Sequence, residues 1–111
     1  MKNIMIIDGH QAVIEYDSEL EMFRGEFIGL NGGADFYASD IPGLHREGAT
    51  SLRIFLEECA RHGVKPTRNF SGRFVLRVPP EIHQAATTAA AAHGESLNQW
   101  VVALIKEAVQ A

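Results

Sequence analysis

Residues 73–80 read Arg-Phe-Val-Leu-Arg-Val-Pro-Pro, and this stretch decides the fold of the C-terminal third of the chain. Every second side chain is apolar and would share one face of a strand, namely Phe74, Leu76 and Val78. The side chains between them would share the opposite face, namely Arg73, Val75 and Arg77. A period of two is typical of a β-strand with one buried face. The pattern therefore predicts a strand over 72–78 with an apolar side and a basic side.

Two helices are predicted after this strand. Pro79 and Pro80 end the strand and suit the first turn of a helix that runs to about His93 and is closed by Gly94. The segment from Ser96 to Gln99 fits the Ser-x-x-Gln capping box, so a second helix is expected to begin there. Apolar residues at helical spacing would form its buried side, namely Leu97, Val101, Leu104, Ile105 and Ala108, with Trp100 beside them.

A single copy of this module has nothing to pair the backbone groups of its strand, and it has little core. Two copies that pair their strands antiparallel about a two-fold axis would remedy both deficits. We therefore predict an obligate homodimer. Its core would be built from the strand and the second helix, with Phe74, Leu76, Val78, Leu97, Trp100, Val101 and Leu104.

The basic side of such a paired ribbon indicates DNA as a partner. Arg73 and Arg77 would lie about 13 Å apart at about 3.3 Å per residue, and the major groove is about 12 Å wide and admits a two-stranded ribbon. The planar arginine fork can donate two hydrogen bonds to guanine. The backbone N–H groups at Ser96, Leu97 and Asn98 are predicted to be unpaired and to bind a phosphate. The alternative is a solvated edge strand with two ordinary surface arginines.

The residues before this module predict a separate domain, so that the chain is α+β. Alternation indicates three strands, over 10–17, 22–29 and 34–38, in an antiparallel meander. A helix capped by Ser39 or Asp40 would follow, with a break expected near Gly48. Its apolar stripe would end in Cys59, which is predicted to be a core thiol rather than a nucleophile. The expected division is a domain over 1–63, a linker over 64–71 and the ribbon module over 72–111.

The charges of the chain are segregated, although the net charge is only -4. Residues 1–60 hold eleven acidic and four basic side chains, whereas residues 61–80 hold five basic side chains and no acid. This distribution predicts two different kinds of partner. No apolar run is long enough to span a bilayer, so we expect no membrane partner and a cytoplasmic protein. The single cysteine agrees with a reducing compartment.

The stretch Arg73 to Pro79, the helix after it and the segment Gly94 to Trp100 resemble the ribbon-helix-helix superfamily of the Arc and MetJ repressors. Within it, roughly residues 10–110 resemble the HicB-like antitoxins, on the patterns Val-Ile-Glu-Tyr-Asp at 13–17, Phe-Arg-Gly-Glu at 23–26 and Asp-Phe-Tyr at 35–37. The resemblance implies a truncated RNase H-like first domain that binds a HicA-like ribonuclease toxin, and a second domain that represses the operon. It also implies base reading by Arg73, Val75 and Arg77, although Val75 departs from the polar residue usual there.

Besides toxin binding, two other functions of the first domain stay open at this point. A metal-dependent nuclease would use carboxylates such as Asp8, Asp17, Glu26 and Asp35, but their positions at turns and on outward strand faces favour solvated residues, and we predict no enzyme. The five histidines are scattered, so neither a metal nor another cofactor is predicted. An orphan regulator whose first domain binds a ligand or oligomerises is the other alternative. The sequence does not decide whether two dimers pair into a tetramer.

Overall fold

The computed structural model describes residues 3–110 and shows an α+β protein. Seven elements follow one another: β1 (Ile4–Ile7), β2 (His10–Asp17), β3 (Met22–Phe27), β4 (Asp35–Ala38), α1 (Ile41–His62), α2 (Pro80–Ala92) and α3 (Leu97–Gln110). They form two compact units, and the boundary between the units lies between Phe70 and Ser71. We call them the front unit and the C-terminal unit.

The sheet of the front unit has four antiparallel strands in the order β1-β2-β3-β4, so the prediction of three strands is wrong. The additional strand is β1, whose residues are all apolar and therefore lack the alternation of a half-buried strand. A two-residue turn at Asp8 and Gly9 joins β1 to β2, with φ angles of 48° and 80°. Asp-Gly is typical of such turns because both central residues need a positive φ. That dipeptide was the signal in the sequence for β1, the strand that was not predicted.

Helix α1 runs without interruption from Ile41 to His62, so the predicted break near Gly48 is wrong. Asp40 caps its start, where the Gly43 N–H donates to Asp40 Oδ1 at 2.7 Å. Gly63 ends it in the left-handed conformation, with φ 65°. Gly48 is buried, and a Cβ atom there would overlap Ile7 on the sheet. The glycine therefore permits close approach of helix and sheet instead of breaking the helix.

The core of the front unit lies between α1 and one face of the sheet. Its most buried helical side chains are Leu44 and Leu52. On the sheet, the Phe27 and Phe36 rings lie 5.3 Å apart, and the Phe36 ring lies over Gly25, its partner on β3. The helical stripe predicted from the sequence is confirmed, and Cys59 is buried in it.

Gly25→Ala is expected to destabilise the front unit by about 1 to 3 kcal/mol, because the new Cβ atom would overlap the buried Phe36 ring. The opening free energy can be measured by hydrogen exchange of the β2 and β3 amides. Gly33→Ala is the matched control, since a Cβ atom there meets nothing within 4 Å, and it should change stability by less than about 0.5 kcal/mol. Equal effects of the two substitutions would contradict this account.

The start of the predicted linker is docked on the front unit. The Asn31 N–H donates to the Pro66 carbonyl at 2.8 Å, and the Arg68 N–H donates to the Gly29 carbonyl at 2.9 Å. Leu30 and Thr67 form an antiparallel bridge between these two hydrogen bonds. Residues 64–68 therefore do not behave as a free tether.

The C-terminal unit contains the two predicted helices, and Gly94 follows α2 with φ 69°. Only Ala90 of α2 and no residue of α3 is buried. Residues 72–78 form no strand within one chain, so their pairing with a second copy stays a prediction. Within residues 3–110, no helix combines the length and the hydropathy that crossing a bilayer requires.

Candidate nucleic-acid and protein interfaces

The segment predicted to read DNA is exposed along its whole length. Val75 is 84% exposed, and the side chains of Arg73 and Arg77 are also exposed. The Arg73 N–H donates to Ser71 Oγ at 3.1 Å, immediately after Gly72 with φ 86°. Within the described residues, neither arginine forms a salt bridge. Both guanidinium groups are therefore available to an anionic partner.

The apolar residues predicted for a dimer core have little cover in one chain. Phe74 is 74% and Leu76 62% exposed, and Val78 and Leu104 are exposed as well. Leu97, Trp100 and Val101 are half-buried. A contiguous stretch of large exposed apolar side chains is typical of a surface that another protein covers.

The start of α3 has the predicted capping box. The Gln99 N–H donates to Ser96 Oγ at 3.1 Å, and the Ser96 N–H donates to Gln99 Oε1 at 3.0 Å. The Ser96 N–H is therefore not unpaired, contrary to the prediction for that residue. Leu97 and Asn98 are the first two residues of the helix, whose N–H groups have no partner one turn earlier within it. A phosphate contact at this helix start would rest on those two residues.

The sheet face opposite α1, which we call the outer sheet face, combines apolar and acidic side chains. Its exposed large apolar side chains are Ile4, Ile6, Val13 and Tyr37, and Ile28 directly after β3, where the Ile28 N–H donates to the Gln11 carbonyl. Its acids are Glu15, Asp17, Glu26 and Asp35, and its single base is Arg24. No helix of the front unit covers this face, since α1 packs on the opposite one. Such a face suits a protein partner with a complementary, basic surface.

Of the four carboxylates considered for a nuclease, only Glu26 and Asp35 lie next to each other, and both pair with Arg24. Asp8 lies in the β1–β2 turn, and Asp17 Oδ1 accepts the N–H groups of residues 19 and 20. Arg24 donates to Glu26 at 3.1 Å and to Asp35 at 3.3 Å. The hydrogen bond to Glu26 raises the pKa of Arg24 above its ordinary value. Over residues 3–110, no group of three or more side chains is arranged to hold a metal ion.

Three of the five histidines have local backbone or helix partners. His10 Nδ1 lies 3.0 Å from the Asp8 carbonyl, and His93 Nδ1 lies 2.9 Å from the Ala89 carbonyl. His62 Nε2 lies 3.5 Å from Glu58 on the same helix. These positions are those of cap and surface residues at turns and helix ends.

Sequence reasoning missed the outer sheet face as a unit, because two of its apolar residues, Ile4 and Ile6, belong to the strand that was not predicted. It also missed the role of Arg24. That residue pairs with Tyr37 across β3 and β4, which brings it beside Asp35, eleven positions away in the sequence. The turn dipeptide at Asp8 and Gly9 was the one local signal that would have revealed this face.

A family comparison bears on the C-terminal half of the chain. No curated protein and no solved structure matches the chain. The model of the HicB family, in contrast, matches residues 55–105, from the last two turns of α1 through most of α3. The matched range is less than half of the 111 residues, and it includes the whole of the segment 72–78. This match supports a HicB-like protein with an antitoxin-related role.

Proposed function

We propose that the chain is an antitoxin-type protein that neutralises a HicA-like ribonuclease toxin through its front unit and represses its own operon through its C-terminal unit. The C-terminal unit would act as a ribbon-helix-helix homodimer on operator DNA. The carrying observation is the exposed segment 72–78, with unpaired Arg73 and Arg77 beside the uncovered side chains of Phe74 and Leu76. The proposal assigns no catalytic residue, metal or cofactor.

Pairing of this segment with a second copy accounts for both of its sides. Antiparallel pairing would supply hydrogen-bond partners for the backbone of residues 72–78, which forms no strand within one chain. It would also bring Phe74, Leu76 and Val78 of both copies together over the half-buried side of α3. The arginines would then project from the opposite side. Their spacing of about 13 Å along one strand is close to the width of the major groove, which is about 12 Å. Each partner thus covers what the other leaves exposed.

The outer sheet face supports the toxin-binding half of the proposal. A ribonuclease that binds RNA phosphates presents a basic surface, and carboxylates on an apolar face complement such a surface. Of the four acids on this face, Glu26 and Asp35 share Arg24, while Glu15 and Asp17 form no salt bridge within the described residues. The five exposed apolar side chains would supply the desolvated centre of the contact.

Co-expression with the protein encoded by the neighbouring gene tests the proposed toxin binding. If that protein is a small basic toxin, the chain should restore growth, and Ile28→Lys should abolish the rescue by placing a cation in the outer sheet face. Ile54→Lys is the matched control, because Ile54 is 51% exposed on α1 and Ile28 is 53% exposed. Rescue by both variants would exclude the outer sheet face as the contact. Absence of a toxin gene would exclude the antitoxin role.

An orphan ribbon-helix-helix regulator with a ligand-binding front unit is the second candidate, and one groove favours it. The groove has a volume of about 720 Å³ and lies beside β1, β2 and the start of α1. Asn3 and Glu15 supply its polar lining, and its apolar lining is formed by Ile4, Met5, Ile14, Tyr16, Phe23 and Ile41. DNA binding that persists without any neighbouring toxin gene and responds to a small apolar molecule would favour this candidate.

A further inference from the structure

The longest stretch of the chain without an acidic residue lies between Glu58 and Glu81, and it holds five basic side chains. Arg61 donates to Glu58 at 2.8 Å and is thereby neutralised within its own helix. The other four are Lys65, Arg68, Arg73 and Arg77, and none of them forms a salt bridge within residues 3–110. The proposed ribbon uses Arg73 and Arg77. Lys65 and Arg68 have no role in it.

The backbone at Lys65 and Arg68 is held in place by hydrogen bonds to the front unit. The Lys65 carbonyl accepts from Asn31 Nδ2 at 3.3 Å, and the Arg68 N–H donates to the Gly29 carbonyl at 2.9 Å. The Arg68 guanidinium carbon also lies 5.2 Å from the centre of the Phe70 ring, a distance at which a cation is attracted to an aromatic face. Because the backbone is already ordered, binding of a ligand to these two cations costs less ordering entropy.

Chain length keeps these cations close to any DNA that the ribbon occupies. Arg68 and Arg73 are five positions apart, so their Cα atoms are at most about 18 Å from each other. Phosphates follow one another about every 3.4 Å along the axis of each strand. The maximum span corresponds to about five phosphate spacings, so the chain allows Arg68 to reach the duplex that Arg73 contacts. The front unit itself is acidic, so the docked basic segment is the part of it that duplex DNA attracts.

We propose that Lys65 and Arg68 form a second contact to DNA, in which they bind backbone phosphates that flank the bases read by the ribbon. The inference rests on the proposed DNA-binding function and adds two residues per copy to it. Phosphate contacts fix the position of a protein on the duplex but carry no sequence information. This contact therefore contributes affinity and salt dependence, while the discrimination between sequences belongs to the ribbon.

The test is a salt titration with the full chain on two duplexes, one carrying the upstream region of its own gene and one of scrambled sequence. Each phosphate that the protein neutralises adds about 0.9 to the slope of log affinity against log salt. Lys65→Gln combined with Arg68→Gln removes four phosphate-binding cations from each dimer. The magnitude of the negative slope should therefore decrease by about 3 to 4. The ratio of the affinities for the two duplexes should stay unchanged.

Arg46→Gln combined with Lys106→Gln is the matched control, because it removes the same charge from exposed residues outside the basic segment. If this control lowers the slope as much, the effect is one of net charge and the proposed contact is overturned. An unchanged slope in the Lys65 and Arg68 variant overturns it as well. Failure of the unaltered chain to bind either duplex would instead refute the DNA-binding function itself.

Discussion

Leu76→Ala is expected to convert the chain from a dimer into a monomer at micromolar concentration and to unfold much of the C-terminal unit. In one copy Leu76 is 62% exposed, and in the proposed ribbon it would be buried between the paired strands and α3. Truncation of a buried leucine costs about 2 to 5 kcal/mol, and each dimer would lose two of these side chains. A unit with so few buried residues of its own cannot offset a loss of that size.

The measurement is sedimentation equilibrium combined with tryptophan fluorescence. Trp100 is the only tryptophan, and it lies on α3, so its emission reports the C-terminal unit alone. Val75→Ala is the matched control, because Val75 lies next to Leu76 on the side that is open in the proposed ribbon. It should leave both the mass and the emission unchanged. If the unaltered chain is a stable monomer whose Trp100 emission is insensitive to Leu76→Ala, the proposed ribbon is refuted.

Local signals in the sequence predicted most of the fold, because the elements in question are specified by neighbouring residues. The capping box at Ser96 and Gln99 and the cap at Asp40 are formed within three positions of the chain, and both appear in the structure. β2 matches its prediction because its core-facing residues alternate with outward ones. The third predicted strand begins only one residue later than expected, at Asp35.

The wrong predictions concern residues whose conformation depends on contacts with residues distant in the sequence. Gly48 is a helix breaker when it is read locally, but its place against Ile7 makes the absence of a side chain favourable within α1. Strand β1 is apolar on both sides, so alternation gave no sign of it. The hydrogen bond from the Asn31 N–H to the Pro66 carbonyl joins positions 35 residues apart, and neither residue type predicts such a contact.

The dimer and DNA contacts of the candidate interface stay predictions, and one predicted detail, the unpaired N–H group of Ser96, is wrong. Alternation placed Phe74, Leu76 and Val78 together, yet the chain alone leaves them without a partner, because the partner would be a second copy. At α3, the prediction of three unpaired N–H groups overlooked that a capping box satisfies the one at Ser96. The sequence pattern that identified the box also implied this bond. The remaining donors for a phosphate are thus fewer than the helix start alone suggests.

Arg73→Ala and Arg77→Ala are each expected to weaken specific operator binding by about 1 to 3 kcal/mol, because each removes an arginine that can bind guanine through two hydrogen bonds. The dimer should stay intact, since both side chains are exposed on the side opposite the predicted core. Arg73→Lys and Arg77→Lys should retain binding to scrambled DNA while losing discrimination, because lysine keeps the charge but not the planar fork.

Gel shifts on the upstream region of the gene, at one fixed salt concentration, measure this loss. Lys106→Ala is the control, because it removes a cation from α3 of the same unit without touching the segment 72–78. The double arginine variant should lose discrimination between operator and scrambled duplex, whereas the control should keep it. If gel shifts are the same with and without both arginines, the assignment of this segment as a DNA-reading ribbon is wrong, because no other side chain on its open side can donate a hydrogen bond to a base.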